Sequence, residues 1–422
     1  MEVVPPLPSR RNAPLASFLM AAVGLLLMGG KLLAFDAVGT IERIDVERGV
    51  LQIQANGQDH IVTIAKDVRV TGTDGQPLAD GLRSKELKNG VEVTVTVIRG
   101  DMGPIIEAIQ IGNRGAVSNA AYNSRSSVGL KPLTEMTAED RYKGQDGGLY
   151  GAGRNEPPAA LLAAARKQTQ RIAPLDADGK VSKDGRVGLI SISMSNATME
   201  FSLFKQIADN DPDKSPRVSI VDCAQGGQAM AEWAYPGAPA WAEADRRLEQ
   251  AGVSAKQVQV VWVKLANKSP HGELAEHCGK LQTDTMAVLH IAKVRFPNLR
   301  IAYLGSRIYG GYADTPLNPE PYAYEGAFAV RWLIQDQIKG DPDLQYDDAM
   351  GAVKVPLLLW GPYIWADGTS PRKSDGLVWE RKDFGIDGTH PSDTGRRKVA
   401  EMLLRFFKED ALASVWFTRK PD

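Results

Sequence analysis

The chain has 422 residues, too many for one ordinary domain, and its 43% apolar and 24% charged content is typical of a globular protein with a real core. The 50 basic and 51 acidic residues nearly cancel, which speaks against a nucleic-acid partner, because proteins of that class carry a basic face. The two cysteines, Cys223 and Cys278, are too few for a zinc site of the usual ligand spacing, so we expect no metal site.

Residues 1–35 carry a targeting pattern. Arg10 and Arg11 precede the uncharged stretch "NAPLASFLMAAVGLLLMGG", which ends before Lys31. A spanning helix needs about 20 apolar residues, and positive charge on the short N-terminal side orients the remainder outward. The segment predicts an export signal or a single N-terminal membrane anchor. We therefore expect an extracytoplasmic protein, periplasmic or secreted, with membrane contact through this segment only.

Residues 36–114 show the patterns of β-strands. In "VEVTVTVI" the valines from Val91 to Val97 alternate with polar residues, which is typical of a half-buried antiparallel strand. "GVLQIQANGQDHIVTI" predicts two strands joined at Asn56-Gly57. We predict a small all-β, barrel-like domain, which is either a structural spacer or a module that binds a surface or a glycan.

Residues 115–184 have little periodicity and are rich in Gly, Pro, Ala and Asn. They predict a linker that partly wraps the next domain, with one helix over "AALLAAARKQTQRI".

Residues 185–412 alternate between apolar strands and amphipathic helices. The strand candidates are "RVGLISIS", "RVSIVDCA", "VQVVWVKLA", "LRIAYLGS" and "KVPLLLWG". Near-continuous apolar strands separated by helices predict an α/β domain with a parallel sheet covered on both faces. Functional residues of such sheets lie beyond the carboxyl ends of the strands.

Polar residues follow several of these strands. The first strand ends in "SMSNAT" with Ser195, the second in "VDCAQGGQ" with Gly226 and Gly227, and the third in "KLANKS" with Asn267. Before the last helix, "DGTHPSDTGRRKVA" carries Asp387 and His390. The order of serine, glycine, asparagine and Asp-x-x-His resembles the SGNH (GDSL-type) hydrolase superfamily over about residues 185 to 410. "CAQGGQAMAEW" and the terminal block are similar to the carbohydrate-esterase branch related to sialate O-acetylesterases.

The resemblance implies a flavodoxin-like, three-layer, doubly wound parallel sheet and a serine esterase. Ser195 would attack an acyl carbonyl, and His390 would take its proton, because a serine hydroxyl is weakly nucleophilic near neutral pH. Asp387 would fix the tautomer of His390 and stabilise the imidazolium. The spacing of three residues allows one turn to present both side chains.

The same resemblance implies an oxyanion hole of three donors: the backbone N–H of Ser195, that of Gly226 or Gly227, and the side chain of Asn267. No cofactor is required. The expected substrate is a small-molecule or polysaccharide ester, such as an acetylated carbohydrate.

Several alternatives stay open. Ser195 alone could cap a helix, and Gly226-Gly227 could be only a turn. The residues before Ser195 are Ser193 and Met194 rather than the family's Gly-Asp, which favours a non-catalytic carbohydrate- or surface-binding protein on the same fold. An acyltransferase would use the same triad.

Two histidines, the two cysteines and a tryptophan give weaker indications. His271 and His277 follow the third strand and could line the cleft. Cys223 and Cys278 could form a disulfide or remain two buried thiols. Trp233 is expected to pack rather than to contact a substrate.

Overall fold

The protein is described from a computed structural model, over residues 35–55, 58–74, 76–100, 103–112, 126–313, 316–385 and 387–419. The uncharged N-terminal stretch and the Asn56-Gly57 turn lie outside these residues. The chain divides into two compact units, Met1–Asn119 and Ala120–Asp422. No helix within the described ranges is long and apolar enough to cross a membrane.

The first unit contains a closed barrel of five strands in the order β1-β2-β3-β5-β4. The strands are β1 (Phe35–Asp45), β2 (Val50–Ala55), β3 (Gln58–Thr71), β4 (Glu92–Gly100) and β5 (Gly103–Ile111). Neighbouring pairs are antiparallel except β3 and β5, which run parallel. A 3-10 turn at Gly81–Arg83 lies between β3 and β4.

Strand β4 shows how the sequence builds the barrel. Val93, Val95 and Val97 are buried in its core, as their alternation predicts. Thr94, from the other face, is buried as well and donates to the carbonyl of Gly112 at 3.2 Å. The strand is therefore less exposed on its polar side than the sequence alternation indicated.

The second unit is built on a five-stranded parallel sheet in the order β10-β9-β8-β6-β7. The strands are β6 (Val187–Ile192), β7 (Val218–Val221), β8 (Val258–Lys264), β9 (Ile301–Gly305) and β10 (Leu357–Trp360). Every residue of β6, β8, β9 and β10 is buried, which requires cover on both faces. The predicted α/β domain with a parallel sheet, preceded by an all-β region, is confirmed.

Numbered within this unit, the strand order is 2-1-3-4-5, in which the chain reverses direction across the sheet between β6 and β8. Ligands of doubly wound sheets bind at the carboxyl ends of the strands beside this point. The first and third strands of the unit therefore determine where a site should lie.

In the described part of the unit, the first helix precedes β6, and the other helices lie between the strands or after β10. The helices are α1 (Ala159–Thr169), α2 (Ser195–Asp209), α3 (Met230–Trp233), α4 (Pro239–Gln250), α5 (Leu274–Arg295), α6 (Tyr322–Ile338), α7 (Asp393–Glu409) and α8 (Ser414–Phe417). Helix α2 packs on α7, where the rings of Phe204 and Phe407 stack at 5.4 Å, and α5 packs on α6. Helix α5 begins at Leu274, seven residues before the amphipathic stretch "LQTDTMAVLHIAKVRF" that starts at Leu281.

From Ser126 onward, the segment predicted as a linker packs into the larger unit. Leu133, Met136 and Tyr150 are buried in the same hydrophobic core as the sheet. Asp367 anchors its first residues by accepting from the N–H groups of Val128 and Gly129.

Candidate active site

A two-residue turn carries the chain from strand β6 into helix α2. Ser193 and Met194 form the turn, and the backbone of Met194 is extended (φ −99°, ψ −167°). The hydroxyl of Ser193 donates to the carbonyl of Lys264 at the end of β8 and is fully buried. Because this bond joins the first and third strands of the sheet, it fixes the position of the residue that follows the turn.

The other buried serine of this stretch also has a structural bond. The hydroxyl of Ser191 donates to Asp222 Oδ1 at 2.5 Å and accepts from the N–H groups of Cys223 and Ala224. Burial raises the pKa of Asp222 to about 6, although hydrogen bonds from Ser191 and Thr198 oppose the rise. The hydroxyls of Ser191 and Ser193 thus hold neighbouring strand ends together.

Ser195 differs from both. It is the first residue of α2, and its Oγ lies 2.7 Å from Nε2 of His390. The N-cap position belongs to Met194, which has no capping side chain, so Ser195 is not the helix cap. The first N–H groups of a helix have no partner within the helix, and the N–H of Ser195 is one of these groups.

The loop before helix α7 supplies the other two members of the predicted triad. Nδ1 of His390 lies 2.5 Å from Oδ2 of Asp387, and Oδ1 of Asp387 accepts from the N–H groups of Thr389 and His390 at 3.0 Å each. An ionised carboxylate only accepts hydrogen bonds, so Nδ1 carries a hydrogen and Nε2 is left to accept from the Ser195 hydroxyl.

The charge of Asp387 is held by these contacts. Burial of the carboxyl opposes ionisation, but the bonds from the His390 side chain and from two N–H groups outweigh it, so the pKa of Asp387 lies below its ordinary value. The side chains of His390 and Asp387 remain 30% and 28% exposed, which leaves them accessible from solvent.

Two contacts position this loop against the rest of the site. Nδ2 of Asn196 donates to the carbonyl of Thr389 at 2.9 Å, which ties the loop to the start of α2. Gly388 has a positive φ of 62°, and a Cβ there would collide with the carbonyl oxygen of Tyr312. Glycine is therefore required between Asp387 and His390 by both conformation and space.

The glycine pair predicted for the oxyanion hole lies in a turn from Gln225 to Gln228, closed by a 3.2 Å bond between their backbones. Gly227 has a positive φ of 72°. The N–H of Gln225 donates to the carbonyl of Ser193 at 2.9 Å. This bond joins the 225–228 turn directly to the turn of Ser193 and Met194, which we name the nucleophile turn because it precedes the predicted nucleophile Ser195. Within the described ranges, the N–H groups of Gly226 and Gly227 make no backbone hydrogen bond.

Asn267 follows β8 and is held on both sides of its amide. Its Oδ1 accepts from the N–H of Ala231 at 2.9 Å, and its Nδ2 donates to Oδ2 of Asp284 at 2.5 Å. An amide nitrogen has two hydrogens, so one remains for another acceptor. The backbone carbonyl of Asn267 also accepts from Nδ2 of Asn318 at 2.8 Å.

The predicted site residues thus fall into two groups. Ser195, His390 and Asp387 form one chain of direct hydrogen bonds. Gly226, Gly227 and Asn267 make no direct bond to Ser195, and their loops reach the nucleophile turn through bonds made by neighbouring residues. The roles of this second group stay predictions.

Sequence reasoning missed a buried ion pair behind the nucleophile turn. Both oxygens of Glu200, on α2, lie 2.5 Å from Nζ of Lys264, the last residue of β8, and both side chains are 0% exposed. Burial raises the pKa of Glu200, although the charge of Lys264 opposes the rise. Burial also lowers the pKa of Lys264 to about 8. A lysine inside the apolar strand "VQVVWVKLA" was the signal that could have revealed it.

Sequence reasoning also missed Asp284, Asn318 and Arg307. Asp284 and Asn318 hold Asn267, whereas the guanidinium of Arg307 lies against Met194, with Nη1 3.5 Å from its Sδ. Arg307 and Asn318 belong to the Tyr- and Gly-rich loop after β9. No local pattern marks these residues, because their partners are distant in sequence.

One of the weaker indications is wrong, and the structure decides between the two alternatives for the cysteines. His277 does not line an open cleft: it is buried, and its Nε2 lies 2.5 Å from Oε2 of Glu325. Cys223 and Cys278 form no disulfide and are buried free thiols. The Sγ of Cys278 donates instead to the backbone carbonyl of Glu325 at 3.1 Å.

Other expectations are answered by position. His271 is exposed, and its Nδ1 lies 3.5 Å from the carbonyl oxygen of Ser269. Trp233 is fully buried, donates to the carbonyls of Ser193 and Gln228, and packs edge-on against Trp241, as expected of a packing residue. Over the described part of the chain, no group of three or more His, Cys, Asp or Glu residues could hold a metal ion.

No family model matches the chain, and no curated protein matches it. Among solved structures, apo-CusF residues 6–88 from Escherichia coli aligns with 14% identity, covering 21% of this chain and 98% of that chain, at a TM-score of 0.16. The crystal structure of Ag(I)CusF aligns with 15% identity, covering 19% of this chain and 99% of that chain, at a TM-score of 0.15. A likeness at this TM-score carries no argument about the fold or the ligands of this chain.

Chemically, the geometry provides a hydroxyl, a base to take its proton and a carboxylate to orient that base. It also places the hydroxyl at the uncapped start of a 15-residue helix, where the helix dipole favours negative charge. Such an arrangement fits nucleophilic attack on a carbonyl group.

Proposed function

We propose that this protein is a serine esterase of the SGNH hydrolase type that hydrolyses an acyl ester of a carbohydrate, such as an acetyl ester. The observation that carries the proposal is the unbroken chain from Ser195 Oγ through His390 to Asp387, with bonds of 2.7 Å and 2.5 Å. Ser195 meets His390, 195 positions further along the chain, and Asp387 follows in the order that nucleophilic catalysis requires. The parallel sheet with strand order 2-1-3-4-5 supports the same proposal.

The proposed reaction proceeds in two halves. Oγ of Ser195 attacks the acyl carbon while its proton passes to Nε2 of His390, and the carbonyl oxygen becomes an oxyanion. The oxyanion is stabilised by the N–H groups at the start of α2, by a glycine N–H of the 225–228 turn and by the free amide hydrogen of Asn267. Collapse breaks the ester bond, and the alcohol leaves with the proton from His390.

The second half repeats these steps with water. His390 takes a proton from a water molecule, which attacks the acyl carbon of the acyl-enzyme. The acid is released when Ser195 regains its proton from His390. Asp387 stabilises the imidazolium that forms in each half and does not itself need to take the proton.

The proposal includes export across the membrane, because of the Arg10-Arg11 pair and the apolar stretch after it. It assigns no cofactor, and the substrate is the only partner it names.

The test is labelling with a fluorophosphonate probe, run on the wild type, Ser195→Ala and Ser202→Ala. Ser202 is an exposed serine on the same helix, so Ser202→Ala is a matched control. We expect labelling of the wild type and of the control and no labelling of Ser195→Ala. A folded wild-type protein that is not labelled, or a labelled Ser195→Ala, would contradict the proposal.

Acetylated sugars are then assayed for released acetate. We expect release by the wild type and less than about one thousandth of it by Ser195→Ala. Transfer of the acyl group to an added sugar in preference to water would identify an acyltransferase with the same triad.

A further inference from the structure

The carboxylate of Asp222 lies between the elements that carry the proposed backbone donors to the oxyanion. Asp222 directly follows β7, and the hydroxyl of Ser191 on β6 donates to its Oδ1 at 2.5 Å. The hydroxyl of Thr198, on helix α2, donates to its Oδ2. The N–H of Ala224 donates to its Oδ1 at 3.2 Å. One carboxylate thus binds the strand before the nucleophile turn, helix α2 and the segment before the 225–228 turn.

Thr198 connects this carboxylate to the first turn of helix α2. Its N–H donates to the carbonyl of Met194 at 3.1 Å, and this bond closes the turn. Thr198 and Ser195 are three positions apart, so they are neighbours on the surface of the helix. Because the backbone of a helical turn is fixed by its hydrogen bonds, holding the Thr198 hydroxyl also fixes the direction of the Ser195 N–H.

The same carboxylate holds the start of the segment that leads to the glycine pair. The N–H groups of Cys223 and Ala224 donate to the Ser191 hydroxyl at 3.0 Å and 3.1 Å, and that hydroxyl donates to Asp222. Gly226 follows Ala224 by two residues. Since the backbone just before it is held in this way, the position of the Gly226 N–H depends on the contacts of Asp222.

The surroundings of Asp222 are suited to a carboxylate. Nη1 of Arg247, on α4, donates to the carbonyls of Asp222 and Ala224 at 2.9 Å each and lies 3.9 Å from Oδ2 of Asp222. Each described group that contacts the carboxylate is therefore a donor: two hydroxyls, one N–H and one guanidinium. A carboxylate accepts at both oxygens, whereas an amide would turn its NH₂ group towards one of these donors.

We propose that Asp222 is a positioning residue that sets the spacing between the two backbone donors to the oxyanion. These donors are the N–H of Ser195 and that of Gly226 or Gly227. Asp222 acts on the first through Thr198 and on the second through the segment that follows it. None of its described contacts is with a member of the triad, so the transfer of the serine proton does not depend on it directly. This inference rests on the proposed function, in which these N–H groups stabilise the oxyanion.

The first test removes the Thr198 hydroxyl while keeping the shape of the side chain. Thr198→Val loses the bond to Asp222, whereas Thr198→Ser keeps a hydroxyl that can make it. We expect kcat for ester hydrolysis to fall about tenfold in Thr198→Val, with KM within about threefold, and to recover to within about threefold of the wild type in Thr198→Ser.

The matched control is Thr169→Val on α1, which removes a buried hydroxyl that donates to the carbonyl of Arg166 at 3.0 Å. It should lower the unfolding temperature and leave kcat unchanged. A merely structural role of the Thr198 hydroxyl would make Thr198→Val behave like this control, which would overturn the inference.

The second test asks whether Thr198 and Asp222 act as one unit. Asp222→Asn should lower kcat about 10²-fold, and adding Thr198→Val should lower it by less than about threefold more. Losses that multiply in full would show that the two residues act independently and would overturn the inference. Rates are measured at about pH 8, because burial raises the pKa of Asp222 to about 6 and the carboxyl is ionised above that value.

The third test needs no catalysis. Crystal structures of the wild type, Thr198→Val and Asp222→Asn give the distances from the amide nitrogen of Ser195 to those of Gly226 and Gly227. We expect at least one distance to change by about 0.5 Å or more in both variants, which is enough to impair such a site. Unchanged distances in both variants overturn the inference, whether or not the chain hydrolyses esters.

The inference and the proposed function fail in different ways. Displaced donors in the variants, together with a wild type that neither hydrolyses esters nor reacts with a fluorophosphonate, overturn the proposed function while the role of Asp222 in spacing stands. Displaced donors with an unchanged kcat, in a protein whose wild type hydrolyses esters, overturn the inference alone.

Discussion

Among its described residues, the larger unit has two histidine–carboxylate pairs with a hydroxyl or thiol close by, and in only one of them does a ring nitrogen face a hydroxyl. In both pairs the histidine nitrogen lies 2.5 Å from a carboxylate oxygen. His390 uses Nδ1 for Asp387 and turns Nε2 to the hydroxyl of Ser195. His277 uses Nε2 for Glu325, and the thiol of Cys278 donates its proton to a backbone carbonyl.

The two pairs also differ in exposure. The side chains of His390 and Asp387 are 30% and 28% exposed, whereas those of His277 and Glu325 are 4% and 0% exposed. Glu325 also accepts from the Tyr142 hydroxyl at 2.6 Å and pairs with Lys143 at 3.0 Å. The second pair therefore ties the 126–158 segment to helices α5 and α6. A short histidine–carboxylate bond alone does not indicate catalysis; the free nitrogen must face an accessible nucleophile.

Replacing the two histidines separates these roles most strongly. His390→Ala should lower kcat/KM for ester hydrolysis about 10³-fold or more, because the proposed base that takes the proton of Ser195 is lost. His277→Ala should leave kcat/KM within about tenfold and cost about 2–4 kcal/mol of folding free energy, because Glu325 loses a buried partner. Steady-state kinetics and urea unfolding measure both effects. Equal losses of activity at matched stability would remove the distinction between the pairs.

The carboxylates give the next largest contrast. Asp387→Asn should reduce kcat about 10²- to 10⁴-fold with little change in unfolding temperature, since an amide cannot hold His390 in the required tautomer. Glu325→Gln should reduce stability by about 1–3 kcal/mol and leave kcat nearly unchanged. Thermal unfolding and kinetics on the two variants check this. A fully active Asp387→Asn would contradict the proposed role of Asp387 in orienting His390.

Replacing Asn267 tests whether the site of Ser195 and His390 has a side-chain donor to the oxyanion. Asn267→Ala should lower kcat about 10²-fold, the effect of removing one donor to the oxyanion. Asp284→Ala, which releases the Asn267 amide and the exposed Lys280 side chain, should lower kcat about tenfold, with KM little changed. Loss of KM alone in Asn267→Ala would place that residue in ground-state binding instead.

The smallest expected effect is on the pH dependence of stability. Burial opposes ionisation of Glu325, but the contacts with His277, Tyr142 and Lys143 outweigh it and lower its pKa in the folded state. A carboxyl with a lowered folded pKa stabilises the protein above its unfolded pKa, and this contribution is lost as the pH falls through the folded value. Unfolding temperatures between about pH 6 and pH 3 should therefore fall less in Glu325→Gln than in the wild type. An identical slope would show that Glu325 titrates alike in both states.

Sequence patterns predicted the elements of the parallel sheet well because each strand is buried on both faces and consists of apolar residues. They predicted the position of Ser195 beyond β6 because strand ends of such sheets meet at one edge. Periodicity does not reveal the first turns of α5, because "LAEHCGK" contains polar residues that bind other elements. His277 was misplaced in the cleft for the same reason, since its partner Glu325 is distant in sequence.

By itself, the sequence determined the strand-and-helix alternation of the larger unit, the alternation of the barrel strands and the order of the polar residues after the strands. These features depend on local periodicity and on residue type, which can be read from neighbours along the chain. Only the tertiary structure decided that His277 meets Glu325, that both cysteines are free, and that Arg307 and the Glu200–Lys264 pair lie behind the nucleophile turn. Those contacts join residues tens to hundreds of positions apart, and their energies depend on burial and distance, which exist only once the sheet has formed.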